Sequence, residues 1–145
     1  MNTTKLLQLS KQFGRYCDRR FAPLCARYGL TMREVHVLLF LANNPGCDTA
    51  RDVTELRGMS KSQVSQAVEH LVREGLLLRT PDRSDRRVVH LSITPEGMPL
   101  ALECRDIQCA CGQRLFAGLT EEQIQQLSLL LETVLENGLA EEEFA

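Results

Sequence analysis

The chain has 145 residues, the size of one domain, and 43% of them are hydrophobic, so it can bury a sizeable core. Its formal net charge of −2 and pI of about 5.9 exclude a protein that coats nucleic acid through overall positive charge. No segment approaches the ~20 apolar residues that span a bilayer. No signal peptide is visible, so we expect a cytoplasmic protein with no membrane partner.

The first helix is predicted over residues 1–30 from apolar residues that recur at intervals of three and four. They are Leu6, Leu9, Phe13, Cys17, Phe21 and Leu24. This spacing is typical of a coiled-coil seam. Residues 1–33 contain seven Lys or Arg and one acid, whereas residues 119–145 contain seven Glu and no base, so the two ends of the chain are expected to attract each other.

Two short helices are predicted next. Thr49 and Asp52 form a capping signal for the first, which ends at Gly58, with Ala50, Val53 and Leu56 facing inward. Ser60 and Gln63 form the same signal for the second, which ends at Gly75. Its inward stripe is Val64, Ala67, Val68 and Leu71, and its outward face is Ser62, Ser65, Gln66, Glu69 and Arg73, with Gln63 and His70 at the edges.

A β-hairpin is predicted immediately after these helices. Two runs rich in apolar residues, 76–79 and 88–93, flank the polar sequence Asp-Arg-Ser-Asp-Arg-Arg at 82–87. Helix, turn, helix and hairpin follow in the order of a winged helix-turn-helix, in which the second helix enters the major groove of DNA. Residues 57–87 hold seven bases against four acids. This excess favours DNA over the alternative of a protein-interaction winged-helix module.

The C-terminal part is predicted to be helical and to dimerise. Thr94 and Pro95 begin a long helix that runs to about Ala117, and Thr120 with Gln123 caps the last helix. The apolar stripe of that helix is Ile124, Leu127, Leu131 and Val134. A two-fold homodimer would cover these stripes and present two reading helices to an inverted repeat with half-sites about 10 base pairs apart.

The fold class is therefore mainly α with a small β-hairpin wing. We predict one domain over residues 1–145, with a winged helix-turn-helix lobe at 31–93 flanked by N- and C-terminal dimerisation helices at 1–30 and 94–145. No nucleophile elbow, phosphate-binding loop or dinucleotide fingerprint is present, so an enzyme is not expected.

Four segments in this order and spacing resemble the multiple-antibiotic-resistance regulator (MarR) family of transcription factors. They are Met-Ser-Lys-Ser-Gln-Val-Ser-Gln at 59–66, Leu-Val-Arg-Glu-Gly-Leu-Leu-Leu-Arg at 71–79, the polar sequence at 82–87, and Leu-Ser-Ile-Thr-Pro-Glu-Gly at 91–97. The resemblance covers nearly the whole chain. It implies a dimeric regulator, more often a repressor, that binds double-stranded DNA.

Carried over by position, the resemblance places Ser62, Gln63 and Gln66 against bases and Arg86 in the minor groove, with Asp82 and Asp85 bracing the wing. The full set of candidate DNA contacts is Ser60, Lys61, Ser62, Gln63, Ser65, Gln66, Arg73, Arg79, Arg83, Arg86 and Arg87. Many relatives have an arginine where this chain has Gln66. A glutamine that reads a base directly favours adenine over guanine.

The family also implies an effector, commonly a small aromatic or phenolic anion bound between the dimer helices and the DNA-binding lobe. Phe13, Tyr16, His36 and Phe40, with Phe21, are candidates for such a pocket, and Arg15 or Arg19 for the anion partner. Ordinary core packing of the same side chains is the competing interpretation.

The six cysteines are expected to be free thiols. Cys104 and Cys111 would share one helix face, with Cys109 pointing away, and without a paired-cysteine motif neither a metal nor a cofactor is expected. Some MarR-type proteins sense oxidants through a cysteine in the first helix. Cys17 lies in a comparable stretch, where Arg15, Arg19 and Arg20 could lower its pKa, so switching by thiol oxidation is the alternative to a ligand.

Overall fold

The computed structural model describes residues 2–142, which form six helices and one two-stranded antiparallel sheet. The elements are α1 (Thr3–Tyr28), α2 (Met32–Asn43), α3 (Ala50–Arg57), α4 (Lys61–Arg73), β1 (Leu77–Pro81), β2 (Val89–Ile93), α5 (Met98–Leu115) and α6 (Glu121–Glu142). The prediction of a mainly helical winged helix-turn-helix is confirmed.

Capping explains why α3 and α4 begin where they do. The Thr49 hydroxyl accepts a hydrogen bond from the Asp52 amide, and the Asp52 carboxylate accepts one from the Thr49 amide. Ser60 and Gln63 make the same reciprocal pair at α4. Because each box satisfies two backbone amides that a helix leaves open, both starts are fixed by local sequence.

The end of α4 leads directly into the wing. Gly75 has φ +73°, a left-handed conformation that residues with a Cβ rarely adopt, and it turns the chain from the helix into β1. The strands pair from Leu77 opposite Ile93 to Pro81 opposite Val89. Pro81 lacks an amide donor but is tolerated at the edge of a two-stranded ribbon.

The core lies under the helix-turn-helix and joins it to α1, α2 and the first part of α5. All four predicted inward residues of α4 are buried. The largest fully buried side chains are Leu24, Leu38, Leu71, Leu77, Leu100, Val35, Val37, Val53, Val64 and Cys104. Such packing orients α4 and the wing together as one lobe.

Two sequence expectations are wrong in detail. Leu56, expected to face inward, is 66% exposed because α3 ends at Arg57 before another element covers that face. The long helix begins at Met98 rather than at Pro95, since the Thr94 hydroxyl accepts the Gly97 amide and donates to the Gly75 carbonyl, which holds residues 94–97 in a turn.

The chain divides into two compact units between Cys111 and Gly112. The first contains α1 to β2 and most of α5, and the second contains the end of α5 and α6. Glu143 and the last two residues of the predicted 94–145 region lie outside the described residues. Within residues 2–142, no helix has the length and apolar character to cross a membrane.

Candidate nucleic-acid interface

The outward face of α4 is polar and open. Lys61, Ser62, Ser65, Gln66, Glu69 and Arg73 are all exposed, and Gln63 and His70 lie half-buried at its edges. This is the division that the sequence predicts. The Ser60 hydroxyl and the Gln63 carbonyl oxygen are used by the capping box, and Arg73 approaches Glu69 at 3.9 Å, so Lys61, Ser62, Ser65 and Gln66 are the more available side chains.

A cleft of about 660 Å³ lies between α3, α4 and the wing. Three predicted DNA contacts, Lys61, Ser65 and Arg79, line it together with Arg51, whose guanidinium is held 2.7 Å from Glu55. The structure thus brings residues from a helix and a strand to one concave, cation-bearing surface. Basic concavities of this kind suit a phosphate backbone.

The wing tip, residues 82–88, is built around two carboxylates. One Asp82 oxygen accepts hydrogen bonds from the Ser84 amide and hydroxyl and from the Asp85 amide, at 2.8 to 3.0 Å. Asp85 accepts from the Arg87 amide and guanidinium at 3.0 to 3.2 Å. Arg87 is therefore occupied in bracing the tip, whereas Arg83 and Arg86 are exposed and form no ion pair with the described residues.

His90 is a residue that the sequence analysis missed. Its imidazole lies between two carboxylates, with Nδ1 2.7 Å from Asp48 Oδ1 and Nε2 2.7 Å from Asp82 Oδ1. These hydrogen bonds, first to Asp48 and then to Asp82, raise the pKa of His90, and the bond to His90 is the main reason that the pKa of Asp82 lies well below its usual range. The hairpin register could have suggested that His90 lies near Asp82. No sequence signal points to Asp48, because it is 42 residues away from His90.

A second carboxylate and imidazole pair, Glu34 and His70, joins α4 to α2. Glu34 is buried on α2, where it accepts hydrogen bonds from Thr31 and lies 3.0 Å from His70 Nδ1. Burial opposes the charge, but the bonds from Thr31 and His70 outweigh it and lower the pKa of Glu34. This pair fixes the edge of the reading helix to the lobe.

Of the four predicted pocket residues, the structure brings two together. His36 and Phe40 line a cleft of about 330 Å³ with Leu39, Asn43, Asn44, Leu56, Arg57 and Gln108. Burial, and secondarily the charge of Arg57, lowers the pKa of His36 and keeps the imidazole neutral. Phe13 is 49% exposed and Tyr16 contacts Arg20 by a hydrogen bond and ring stacking, and neither lines this cleft.

Cysteines of α1 and α5 lie near one another, Cys17 near Cys111 and Cys25 near Cys104. Cys104 and Cys111 are buried and Cys109 is exposed, as predicted. Burial, followed by the neighbouring Cys111, raises the pKa of the Cys17 thiol. The expectation that neighbouring arginines lower the pKa of Cys17 is therefore wrong, because burial and the neighbouring Cys111 raise it.

Comparison with known proteins shows that the sequence of this surface is similar to that of one family. The model of the MarR family matches residues 28–88, from the end of α1 to the wing tip. The chain is similar to the homoprotocatechuate degradative operon repressor of Escherichia coli, with 27% identity over 123 residues that cover 85% of this chain and 82% of that one. It is also similar to the HTH-type transcriptional repressor IacR of Pseudomonas putida, with 28% identity covering 89% and 76%.

The fold agrees with these sequence relatives. A crystal structure of a MarR transcriptional regulator from Methanosarcina mazei superimposes with a TM-score of 0.79 at 23% identity, covering 95% of this chain and 99% of the other. The segment that matches the family model, residues 28–88, contains the polar face of α4 and the braced wing tip. The chain is thus a DNA-binding transcriptional regulator that is similar in sequence to members of the MarR family.

Proposed function

We propose that the protein is a homodimeric, sequence-specific repressor that acts in the cytoplasm and is released from an inverted-repeat operator by a small aromatic or phenolic acid. The observation that carries this proposal is the exposed polar face of α4 beside a wing tip where two arginines, Arg83 and Arg86, form no ion pair within residues 2–142. A helix of this composition can read base edges in the major groove. An unpaired arginine on a ribbon suits the negative potential of a narrow minor groove.

Sequence reading is assigned to Ser62, Ser65 and Gln66, whose hydrogen-bonding groups are exposed on one helix face. Lys61 lies at the first turn of α4, where its charge and the open backbone amides both favour a phosphate. Arg79 and Arg83 add positive charge along the wing. Contacts to phosphate position the protein, while contacts to bases select the site.

Dimerisation is supported by large apolar side chains that the single chain leaves exposed. On α6 they are Leu127, Leu129, Leu130, Leu131, Val134 and Leu135, at 37–66% exposure, and on α1 they include Leu7, Leu9 and Phe13. Apolar surface of this extent is typical of an interface. A second copy of the chain supplies a matching surface by two-fold symmetry.

The effector is assigned to the cleft formed by His36, Phe40 and Arg57. Phe40 and Leu39 offer apolar contact to an aromatic ring, Arg57 can pair with a carboxylate, and the neutral His36 imidazole can donate to or accept from a phenol. One relative is named for an operon that degrades homoprotocatechuate, a phenolic acid. The apolar, cationic and imidazole groups of the cleft match the ring, carboxylate and hydroxyl of such an acid, which supports an effector of this class.

The test is fluorescence-anisotropy titration with DNA fragments from around the protein's own gene, in the presence of excess random duplex. Homoprotocatechuate and simple aromatic acids are then added to the complex. We expect tight binding to a fragment with an inverted repeat and release by an acid, with Arg57→Ala retaining DNA binding but losing release. Arg105→Ala on α5, outside this cleft, is the matched control. Binding that ignores sequence and disappears as salt rises would contradict the proposal.

The proximity of the Cys17 and Cys111 thiols supports oxidation as a second candidate signal. A peroxide would convert one thiol to a sulfenic acid with release of water, and the second thiol would then displace another water to form the disulfide. This bond would link α1 to α5. The raised pKa of Cys17 makes the thiol slow to react, so the ligand remains the leading signal.

Peroxide treatment distinguishes the two signals. If oxidation is the switch, peroxide releases the operator, reductant restores binding, and the intact chain loses two hydrogens in mass. Cys17→Ser would abolish all three effects, whereas Cys109→Ser, at an exposed position, would not. Peroxide-insensitive binding by the wild type would exclude this second signal.

A further inference from the structure

We propose that His90 is a positioning residue for DNA binding: bonded at both ring nitrogens, it clasps the wing tip to the loop that precedes α3 and so holds Arg86 in its DNA-contacting position. The inference rests on the proposed function, because it assigns a role to a residue that supports the DNA-contacting wing. We call Asp48, His90 and Asp82 the wing clasp.

The two bonds of the clasp require a particular protonation state. A neutral imidazole carries one N–H and can donate to one carboxylate only, while its other nitrogen would face the second carboxylate with a lone pair. Both contacts are 2.7 Å long, within the range of charge-assisted hydrogen bonds. The geometry therefore fits the doubly protonated ring, which donates to both carboxylates.

The clasp joins parts of the lobe that are distant in sequence. Asp48 lies just before the capping residue of α3, and its carbonyl accepts the Leu91 amide at 2.7 Å beside the isolated bridge between Thr49 and His90. On the other side, the second oxygen of Asp82 organises the tip through Ser84 and Asp85. A shift of the imidazole would thus move the turn that carries Arg86.

The other charged side chains near the His90 ring do not bond to it. On α3, Asp52 is bonded to Thr49 and Arg51 to Glu55. The residue opposite His90 on β1 is the uncharged Thr80. Arg105 on α5 lines the same cleft as Asp48 but forms no ion pair within residues 2–142. Asp48 and Asp82 are consequently the charged groups that set the protonation of His90.

The direction of the pH effect follows from the raised pKa of His90. The clasp is complete at and below the ordinary histidine value of about 6.5 and is lost as the pH rises through the raised value. Operator affinity of the wild type should therefore be constant at mildly acid pH and fall several-fold at alkaline pH. His90→Gln, which cannot take up the proton, should bind as the alkaline wild type does at every pH.

The experiment measures operator binding by fluorescence anisotropy for the wild type, His90→Gln, Arg86→Ala and the double variant. The pH runs from 5.5 to 9, a range set by the unperturbed histidine pKa of ~6.5. Action through Arg86 predicts that His90→Gln weakens binding in the wild type but has little further effect when Arg86 is already absent. Asp48→Asn is the second variant, and it should move the loss of affinity to lower pH. NMR titration of the His90 ring in the free protein should show both nitrogens protonated at neutral pH.

The outcomes separate the inference from the proposed function. If the wild type binds operator but His90→Gln has a parallel pH profile, or if the effects of His90 and Arg86 simply add, the positioning role is wrong. A His90 ring that titrates at or below the ordinary value also overturns it. If the wild type binds no specific DNA at any pH, the proposed function fails, and the positioning role fails with it.

Discussion

At the residue scale, the arginines of the wing are not equivalent. Arg87 is held by Asp85 through its backbone amide and its guanidinium, while Arg86 is exposed and free of ion pairs within the described chain. A side chain that is already paired loses part of its attraction for phosphate, whereas a free one does not. Arg86 is consequently the stronger candidate for DNA contact.

The first prediction concerns this arginine. Arg86→Ala should weaken operator binding by on the order of 1–3 kcal/mol. The fold and the oligomeric state should stay unchanged, because the side chain makes no ion pair with the part of the chain that the structure describes. Anisotropy titration measures the affinity. The matched control is Arg105→Ala, an exposed arginine on α5, for which we expect no change. Unchanged affinity of Arg86→Ala would remove the wing tip from the interface.

The second prediction separates base reading from phosphate binding on α4. Gln66→Ala should lower affinity for the operator by about 1–3 kcal/mol but leave binding to random duplex unchanged, since it removes a base contact. Lys61→Ala should weaken both alike and reduce the slope of affinity against salt by about 1. Titrations at several salt concentrations provide both readouts. Equal losses on operator and random DNA for Gln66→Ala would contradict its assignment.

At the scale of elements, the wing depends on close backbone packing where it meets α5. An added Cβ on Gly97 would lie 2.4 Å from the Leu76 carbonyl oxygen and 3.2 Å from Ile93 Cγ2. The oxygen belongs to the backbone at the start of the hairpin and cannot rotate away. Glycine is therefore required here for close approach.

The third prediction tests this contact. Gly97→Ala should destabilise the fold by about 1–3 kcal/mol through overpacking, measured by urea unfolding. Gly112→Ala is the matched control, because its Cβ would meet nothing within 4 Å and a helical glycine is about 0.5–1 kcal/mol less stable than alanine. We expect that control to be stabilised. A neutral Gly97→Ala would show that the hairpin can shift without loss.

At the scale of the whole molecule, the proposed release from DNA requires that the effector bind two states of the proposed dimer with different affinity. An acid that binds both states equally shifts nothing. The candidate cleft includes Arg57 at the end of α3 and Gln108 on α5. A ligand there would contact both the helix-turn-helix and α5, which belongs to the predicted dimerisation region.

The fourth prediction addresses the dimer. Leu130→Glu combined with Leu135→Glu should yield monomers by light scattering and weaken operator binding. Both side chains are about two-thirds exposed in the single chain, and in the proposed dimer their burial by a partner would stabilise the interface. The fold of each chain should persist, because the two exposed side chains are not part of its core. Gln126→Glu, an exposed change on α6, should remain dimeric. A dimeric double variant would place the interface elsewhere.

The local sequence determined much of the reading surface. Ser60 with Gln63 and Thr49 with Asp52 fix two helix starts through contacts three residues apart, and the stripe from Val64 to Leu71 decides which face of α4 is outward. Such signals are readable because they act within one element. The wing arginines and their bracing aspartates are likewise neighbours in the chain.

Only the tertiary structure decided the contacts between distant segments. His90 meets Asp48 across 42 residues, Cys17 meets Cys111, and His36 shares a cleft with Arg57 while Phe13 and Tyr16 do not. No periodicity encodes these pairs, because they depend on how packed helices and the hairpin are oriented in three dimensions. The same dependence explains why Leu56 is exposed despite its helical spacing: a stripe predicts the buried face, but burial also needs a neighbour to cover it.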